Sequence, residues 1–248
     1  MQTLLKSTPG EPSLFSPPPS RRTQLWGVWE MWCVLPDSHE STCNAVIARG
    51  SSSKKAAAPT LKKATWLDRA KSIGLFDSAE GFWGIVTCTL PPSQLPQGFN
   101  YYLFRRNIAP MWEHEANRRG GRWIVSFRSH SQENGSAITP GCKDAAGALQ
   151  PQVDHAWETL CIAMIGEQIP CDETEICGAV VRRTERCNEW KLSLWTRTAS
   201  DRATQQRIGN FVRDLLHLDG DALQYLSHRE LMQATGKSIW DAPQSHGL

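Results

Sequence analysis

Two short segments alternate between apolar and polar residues, and this alternation constrains the fold more than any other feature of the chain. One segment reads Trp, Lys, Leu, Ser, Leu, Trp, so Trp190 and the two leucines share one face of a strand, whereas Lys191 and Trp195 point from the other. A second segment, GRWIVSF, places Trp123 on one face and Arg122 on the opposite one. We therefore expect a sheet with one aliphatic face and one face that carries cations and indoles.

Three helices are predicted. Apolar residues recur every three to four positions over residues 157–165 and again over residues 208–216, which is typical of helices that lay one side on a sheet. A third helix is expected to begin at Asp77 or Ser78 as its N-cap and to include Trp83.

Strands are predicted at residues 26–34 and 176–181, in addition to the two alternating segments. These strands precede and separate the helices without a regular β-α-β order. The pattern favours an α+β fold with an antiparallel sheet over a doubly wound fold.

The composition changes along the chain suggest one domain with appended and inserted segments. Residues 1–20 are rich in Pro and Ser and predict a disordered extension, and residues 241–248 predict a flexible tail. Small and polar residues predict surface-loop insertions at 38–63 and 129–151. We expect residues 21–240 to form a single domain.

Eleven tryptophans accompany only three tyrosines and seven phenylalanines, which is more indole than a core of this size requires. The net charge is +2, too small for a protein held to nucleic acid mainly by counterion release. Any RNA ligand is therefore expected to be recognised locally, by stacking on exposed indoles.

No apolar leader and no run of 18 apolar residues occurs, so a cytosolic or nuclear protein is predicted. The eight cysteines form no Cys-x-x-Cys pair and are expected to be free thiols. His114 lies between Glu113 and Glu115, but no second ligand motif supports a metal site. We therefore expect no metal and no cofactor.

The polar face of the predicted sheet suits an aromatic, phosphorylated ligand, because indoles stack on bases and Arg and Lys hold phosphates. The segment MWEHE adds selectivity: the acid Glu113 can accept both N–H groups of a guanine edge while Trp112 covers the ring. Methylation at N7 makes guanine cationic and adds a cation–π attraction between two indoles. Methylated guanine is thus expected to bind more tightly than plain guanine.

Several ordered segments together resemble the eukaryotic initiation factor 4E family of cap-binding proteins. They are LWGVWEMW, ATW followed by IGLFDSAEGFW, NYYLFRRNIAPMWEHEANRRGGRW, WETLCIAMIGE, ICGAVV and LSLW, spread from Leu25 to Trp240. The resemblance implies a curved antiparallel sheet with about three helices on its convex face and a cap pocket on its concave face. It also implies that the protein binds the 7-methylguanosine cap of messenger RNA.

The resemblance assigns roles in the pocket residue by residue. Trp66 and Trp112 would sandwich the methylated base, Glu113 would bind its N1 and N2 edge, and the backbone N–H of Trp112 would bind O6. Trp195 would contact the N7 methyl group.

Cations would hold the cap phosphates. The resemblance assigns this role to Arg122 and Lys191, and to one further arginine in the hairpin RRTERCNEW. That hairpin is two residues longer than in the family, so Arg186 and Arg183 both remain candidates.

On the convex face, the family binds the initiation factor 4G scaffold, and inhibitory proteins that compete with it, through a Tyr-x-x-x-x-Leu-hydrophobic helix. Trp83 matches the principal residue of that surface. The surroundings differ: Ala79 replaces a valine, and Glu158 and Thr159 replace a Leu-Glu pair. These differences make the usual partner motif uncertain.

The sequence thus predicts a non-catalytic translation factor whose partners are capped mRNA and a scaffold or 4E-binding regulator, with no membrane and no DNA partner. Alternatives are a cap-sequestering repressor, an enzyme acting on the cap, and a general single-strand binder. Ser238 lies near the family's regulatory phosphoserine, but the local match is poor and an unmodified serine is expected.

Overall fold

A computed structural model describes residues 22–35, 69–128, 145–184, 189–219 and 222–233 of the chain. The predicted N-terminal extension, the first insertion and the C-terminal tail lie outside these ranges, as do Trp66, Arg186 and Ser238.

The described residues contain seven strands that form one open antiparallel sheet. In chain order they are β1 (Gln24–Val34), β2 (Ala70–Ser78), β3 (Asn100–Arg105), β4 (Gly121–Arg128), β5 (Ile176–Arg183), β6 (Glu189–Thr196) and β7 (Leu223–Ser227). The order across the sheet is β2-β1-β3-β5-β6-β4-β7. The predictions for β1, β4, β5 and β6 are confirmed, whereas β2, β3 and β7 were not predicted.

The three predicted helices are also confirmed, and a fourth, short helix follows β7. They are α1 (Ala79–Cys88), α2 (Ala145–Ile165), α3 (Arg202–Leu215) and α4 (His228–Gln233), with a 3-10 turn at Pro92–Gln94. Ser78 caps α1 by accepting a hydrogen bond from the Gly81 N–H at 3.2 Å. None of the described helices is long and apolar enough to cross a membrane.

One predicted boundary was wrong. The second insertion was expected to extend to residue 151, but α2 begins at Ala145. The segment AAGAL that opens the helix contains good helix formers, and their propensity outweighs the loop-like composition of the residues around it.

The two faces of the sheet differ as the alternation predicted. The helices cover the convex face, where Trp123, Trp190 and Leu192 join Trp157 of α2 and Ile208 of α3 in the main core. The concave face carries a smaller cluster of buried residues: Val34, Ala70, Tyr102, Phe104, Ala116, Cys177, Val180 and Trp195. We call this the concave cluster.

Two glycines permit the close packing that shapes these faces. A Cβ at Gly209 would lie 2.5 Å from the Trp123 ring, so α3 can rest directly on the sheet. A Cβ at Gly178 would lie 2.4 Å from the ring of Phe104. Glycine at this position of β5 therefore lets Phe104 lie flat against the strand, next to Trp195.

Five of the eight cysteines belong to the described residues, and all five are free thiols: Cys33, Cys88, Cys161, Cys171 and Cys177. Burial raises the pKa of the Cys177 thiol to about 12 and raises that of Cys161 as well. These two thiols pack as small apolar side chains.

Candidate functional site

The concave side of β5, β6 and β4 brings together residues that the sequence assigned to ligand binding. Arg122 on β4 is paired in register with Trp195 on β6, and Lys191 on β6 is paired with Arg182 on β5. Directly opposed residues of antiparallel strands point to the same side of the sheet. An indole and three cations therefore share one surface.

Trp195 forms a fixed wall of this surface. Its side chain is only 4% exposed. The ring of Phe104 contacts it edge-on with ring centroids 5.4 Å apart, and the ring of His228 lies 4.5 Å away. Trp195 Nε1 is buried and has no hydrogen-bond partner among the described residues. The indole is thus oriented by packing against two aromatic neighbours.

Arg122 is an unusually buried cation. It is 1% exposed, and this desolvation lowers the pKa of its guanidinium to about 10. Tyr102 partly opposes the shift in pKa, and the like charge of Arg182 adds to it. A cation that has lost its water and faces a like charge favours an anion as ligand.

Lys191 is more accessible, with about a fifth of its side chain exposed, and its Nζ lies 3.9 Å from an oxygen of Glu189. This separation is an ion pair rather than a hydrogen bond. The partly exposed ammonium lies on the same side of β6 as Trp195.

Arg183 does not lie where the resemblance would require. It is paired in register with Trp190, a member of the convex core, and its guanidinium lies 5.1 Å from the centre of that indole. It also donates a hydrogen bond to the Leu95 carbonyl at 2.7 Å. The strand alternation turns Arg183 away from the concave face and turns its neighbour Arg182 towards it.

Trp112 and Glu113 lie on the segment between β3 and β4, which consists of turns. Trp112 is half-buried and packs against the concave cluster that contains Trp195, whereas Glu113 is exposed. The structure therefore brings the loop-borne indole and the strand-borne indole to the same hydrophobic cluster, with the acid beside them.

The side chain of Asn117 organises this loop from inside. It is fully buried, and its Nδ2 donates to the carbonyl oxygens of Ala109 at 2.9 Å and Met111 at 2.7 Å. We refer to residues 109–120 as the Trp112 loop. Because the bonded carbonyl of Met111 directly precedes Trp112, the position of that indole depends on Asn117.

His114 also has a place within the Trp112 loop, since its Nδ1 accepts a hydrogen bond from the Ala116 N–H at 3.2 Å. Neighbouring Glu115 lies 4.0 Å from Arg118. Within the described ranges, no group of three or more His, Cys, Asp or Glu side chains is arranged to hold a metal ion.

The sequence reasoning missed Tyr102, Phe104, Arg182 and His228. Extending the predicted strand of β5 by one residue would have placed Arg182 on the concave face. The two aromatic residues belong to β3, whose sequence NYYLFR lacks alternation because both of its faces are buried. His228 has no local signal, since it reaches the site from the far end of the chain.

The convex residues that were assigned to partner binding lie on α1 and α2. Trp83 is 40% exposed and contacts Phe82 edge-on at 5.2 Å, while Ala79, Glu158 and Thr159 are half-buried. A cavity of about 130 Å³ lies between the two helices, the 3-10 turn and the sheet. Its lining includes Phe82, Val86, Leu90, Trp157 and Glu158.

The family model described as eukaryotic initiation factor 4E matches residues 24–241. The chain belongs to this family. Initiation factor 4E1 of Drosophila melanogaster is 31% identical over 216 residues, which cover 87% of this chain and 66% of that protein. The chain spans between 58% and 66% of the length of three such curated relatives.

Solved structures of initiation factor 4E proteins share the fold. The complex of C. elegans eIF4E-3 with the 4E-binding protein Mextli superimposes with a TM-score of 0.64 at 28% identity, covering 84% of this chain and 95% of that chain. The complex of Ascaris suum eIF4E-3 with m7G cap gives a TM-score of 0.61 at 30% identity, covering 84% and 92%. The curved antiparallel sheet with helices on its convex face is the fold of this family.

Proposed function

We propose that the protein binds the 7-methylguanosine cap of mRNA on its concave face and delivers capped messages to the initiation machinery through a partner on its convex face. The observation that carries the proposal is the pairing of Trp195 with the buried cation Arg122, opposite a loop that holds Trp112 and Glu113. Stacking, edge recognition and phosphate binding can all be supplied within this one surface.

The methylated base would stack on Trp112 while Glu113 accepts its N1 and N2 hydrogens. Each stacked base contributes about 1–3 kcal/mol, and the positive ring adds about 0.5–2 kcal/mol of cation–π attraction when desolvated. Unmethylated guanine lacks the second contribution. Trp66, which the resemblance assigns to the other side of the base, lies outside the described residues and keeps that role as a prediction.

The phosphates would extend from the base towards Arg122, Lys191 and Arg182. These cations share the concave surface, and charge-assisted hydrogen bonds to a multiply charged anion are strong. Arg122 is also desolvated, so an anion would replace the solvation that it has lost. Arg182 takes the place in this proposal that Arg183 would have had, because Arg183 bonds to Leu95 on the other side of the sheet. Arg186 remains a second candidate in the same hairpin.

The related structures support both faces of the proposal. Ascaris suum eIF4E-3 was solved with the m7G cap, and C. elegans eIF4E-3 with a 4E-binding protein. By analogy, we assign this chain a non-catalytic role in the cytoplasm, in which the cap is held and left chemically unchanged.

A cap-sequestering repressor is the second candidate, and one feature of the convex face supports it. Glu158 borders the cavity between α1 and α2, where an apolar side chain would suit an apolar partner helix better. A protein that holds the cap but engages the scaffold weakly would compete with active initiation.

Tryptophan fluorescence titrated with 7-methyl-GTP and with GTP tests cap binding directly. We expect saturable quenching by the methylated nucleotide at concentrations where GTP has little effect, and displacement of capped RNA by free 7-methyl-GTP. Equal affinity for the two nucleotides would exclude cap recognition. Pull-down of convex-face partners on immobilised cap then separates an initiation factor from a repressor.

A further inference from the structure

His228 is a buried titratable group for which the proposed function gives no role. It is the first residue of α4 and is 1% exposed. Its backbone N–H donates to the Gly120 carbonyl at 2.9 Å, and its Nδ1 lies 2.7 Å from the Asn117 carbonyl oxygen. A carbonyl only accepts, so Nδ1 carries the hydrogen and Nε2 is the bare nitrogen. Both bonds hold the end of the Trp112 loop.

The bond to Asn117 joins His228 to the base-binding indole through a short chain of contacts. Asn117 is the residue whose amide group holds the Ala109 and Met111 carbonyls, and Met111 directly precedes Trp112. The contact spans 111 positions of sequence, so it closes the loop onto a distant part of the fold. Without the bond to His228, the loop would keep its internal hydrogen bonds to Asn117 Nδ2, but this imidazole would no longer connect it to α4.

The same imidazole contacts the other wall of the site. Its ring centroid lies 4.5 Å from that of Trp195, at an interplanar angle of 56°. Burial lowers the pKa of His228 to about 4, the bond to Asn117 opposes this shift, and Arg122 adds to it. The ring is therefore neutral at physiological pH, so it adds no charge beside a pocket that is proposed to hold a cationic base.

We propose that His228 is a positioning residue for cap recognition, which locks the Trp112 loop at a fixed distance from Trp195 through its Nδ1–H bond to Asn117. The inference rests on the proposed function. A loop that is ordered before the ligand arrives loses less conformational freedom on binding. The bond thus raises affinity without touching the cap.

Two conservative substitutions separate the hydrogen bond from the volume of the ring. His228→Asn keeps an N–H near the position of Nδ1, whereas His228→Gln moves it to the position of Nε2, away from Asn117. We expect His228→Gln to weaken 7-methyl-GTP binding about tenfold, mainly through faster dissociation, and His228→Asn to stay within about twofold of wild type. His155→Gln, an exposed site on α2, is the matched control.

Hydrogen exchange of the ligand-free protein gives a readout that does not depend on cap binding. In His228→Gln, the amides of the Trp112 loop should exchange faster, while those of β5 and β6 should not change. Asn117→Ser keeps the backbone carbonyl that His228 bonds but removes the side-chain bonds to Ala109 and Met111, so it interrupts the next link of the same chain of contacts. It is used if His228→Gln does not fold. Its effect on affinity should not add to that of the histidine variant, because both interrupt one chain of contacts.

Wild-type affinity and unchanged loop exchange in a folded His228→Gln would overturn the inference and leave cap binding intact. An Asn variant as weak as the Gln variant would also overturn it, since the bond to Asn117 would then not be the cause. Failure of the wild type itself to prefer 7-methyl-GTP over GTP would instead remove the proposed function, and the role of His228 in cap recognition with it.

Discussion

The concave and convex faces are built from the same strands, but they bury different chemistry. The concave face buries Arg122 and His228 beside Trp195, whereas the convex face buries aliphatic and aromatic side chains and leaves Trp83 partly exposed. Desolvated polar groups cost stability, and apolar ones supply it. If the proposed function holds, the buried polar residues of the concave face serve the ligand and the convex core serves the fold, so binding and folding should be separable by mutation.

Removing the loop-borne indole should have the largest effect on the concave face alone. For Trp112→Ala we expect 7-methyl-GTP affinity to fall by about 3 kcal/mol, roughly a hundredfold, because stacking and cation–π attraction are both lost. The half-buried side chain belongs to the edge of the concave cluster, so thermal unfolding should change little. The measurement is fluorescence quenching, with Trp83→Ala as the control. A loss of affinity in Trp83→Ala of similar size would mean that the two faces are not independent.

Trp83→Ala should have the converse effect. Truncating a tryptophan at the centre of a partner-binding surface to alanine typically weakens the binding free energy by about 2 kcal/mol or more. We expect binding of a Tyr-x-x-x-x-Leu-hydrophobic peptide, measured by calorimetry, to fall accordingly, with cap affinity unchanged. Trp26→Ala is the control, because Trp26 lies on β1 rather than on α1 and is 91% exposed. Weak wild-type binding that Glu158→Leu strengthens would point to the repressor alternative.

The buried imidazole of His228 should make the free energy of unfolding decrease at acidic pH. The pKa of His228 is about 4 in the folded protein and about 6.5 when unfolded, so the unfolded state takes up the proton first as pH falls. The stability that the neutral ring contributes is complete above about pH 6.5 and is lost progressively towards pH 4. The loss amounts to about 2 kcal/mol at pH 5. Denaturant unfolding of wild type and His228→Asn at pH 7 and pH 5 measures it.

His228→Asn should show a smaller loss of stability between those two pH values, because asparagine does not titrate. The charged group that faces the imidazole is Arg122, and it disfavours protonation throughout this range. Identical pH dependence in the two proteins would contradict the assignment of a depressed pKa. His155→Asn controls for the removal of a histidine from the surface.

The contrast between the two faces also explains what the sequence could predict. Trp195, Lys191 and Arg122 were placed correctly because alternation over a regular strand determines the face of each side chain. β3 was missed because a strand buried on both faces has no alternation, and β2 because bulges interrupt its pairing with β1. The pairing of His228 with Asn117 arises only when the chain folds, so no periodicity could predict it.

The arginine of the hairpin illustrates the same limit. The resemblance left Arg183 and Arg186 as candidates, since an insertion of two residues disturbs the correspondence. Register decides the matter for Arg183, because pairing with Trp190 fixes it on the convex side. Alternation within ICGAVVRR would have favoured Arg182 if the strand had been extended to its end.

Arg122→Met gives the smallest expected effect and the sharpest test of the comparison, because it should move binding and stability in opposite directions. Methionine keeps most of the volume but removes a desolvated cation that faces Arg182. We expect 7-methyl-GTP affinity to fall about tenfold, about 1.4 kcal/mol, while the affinity for the 7-methylguanosine nucleoside, which has no phosphates, stays unchanged. The free energy of unfolding of the ligand-free protein should rise by about 1 kcal/mol, as when other buried charges are replaced by apolar side chains. A variant that loses stability would show that Arg122 supports the fold, and the concave face would then not be reserved for its ligand.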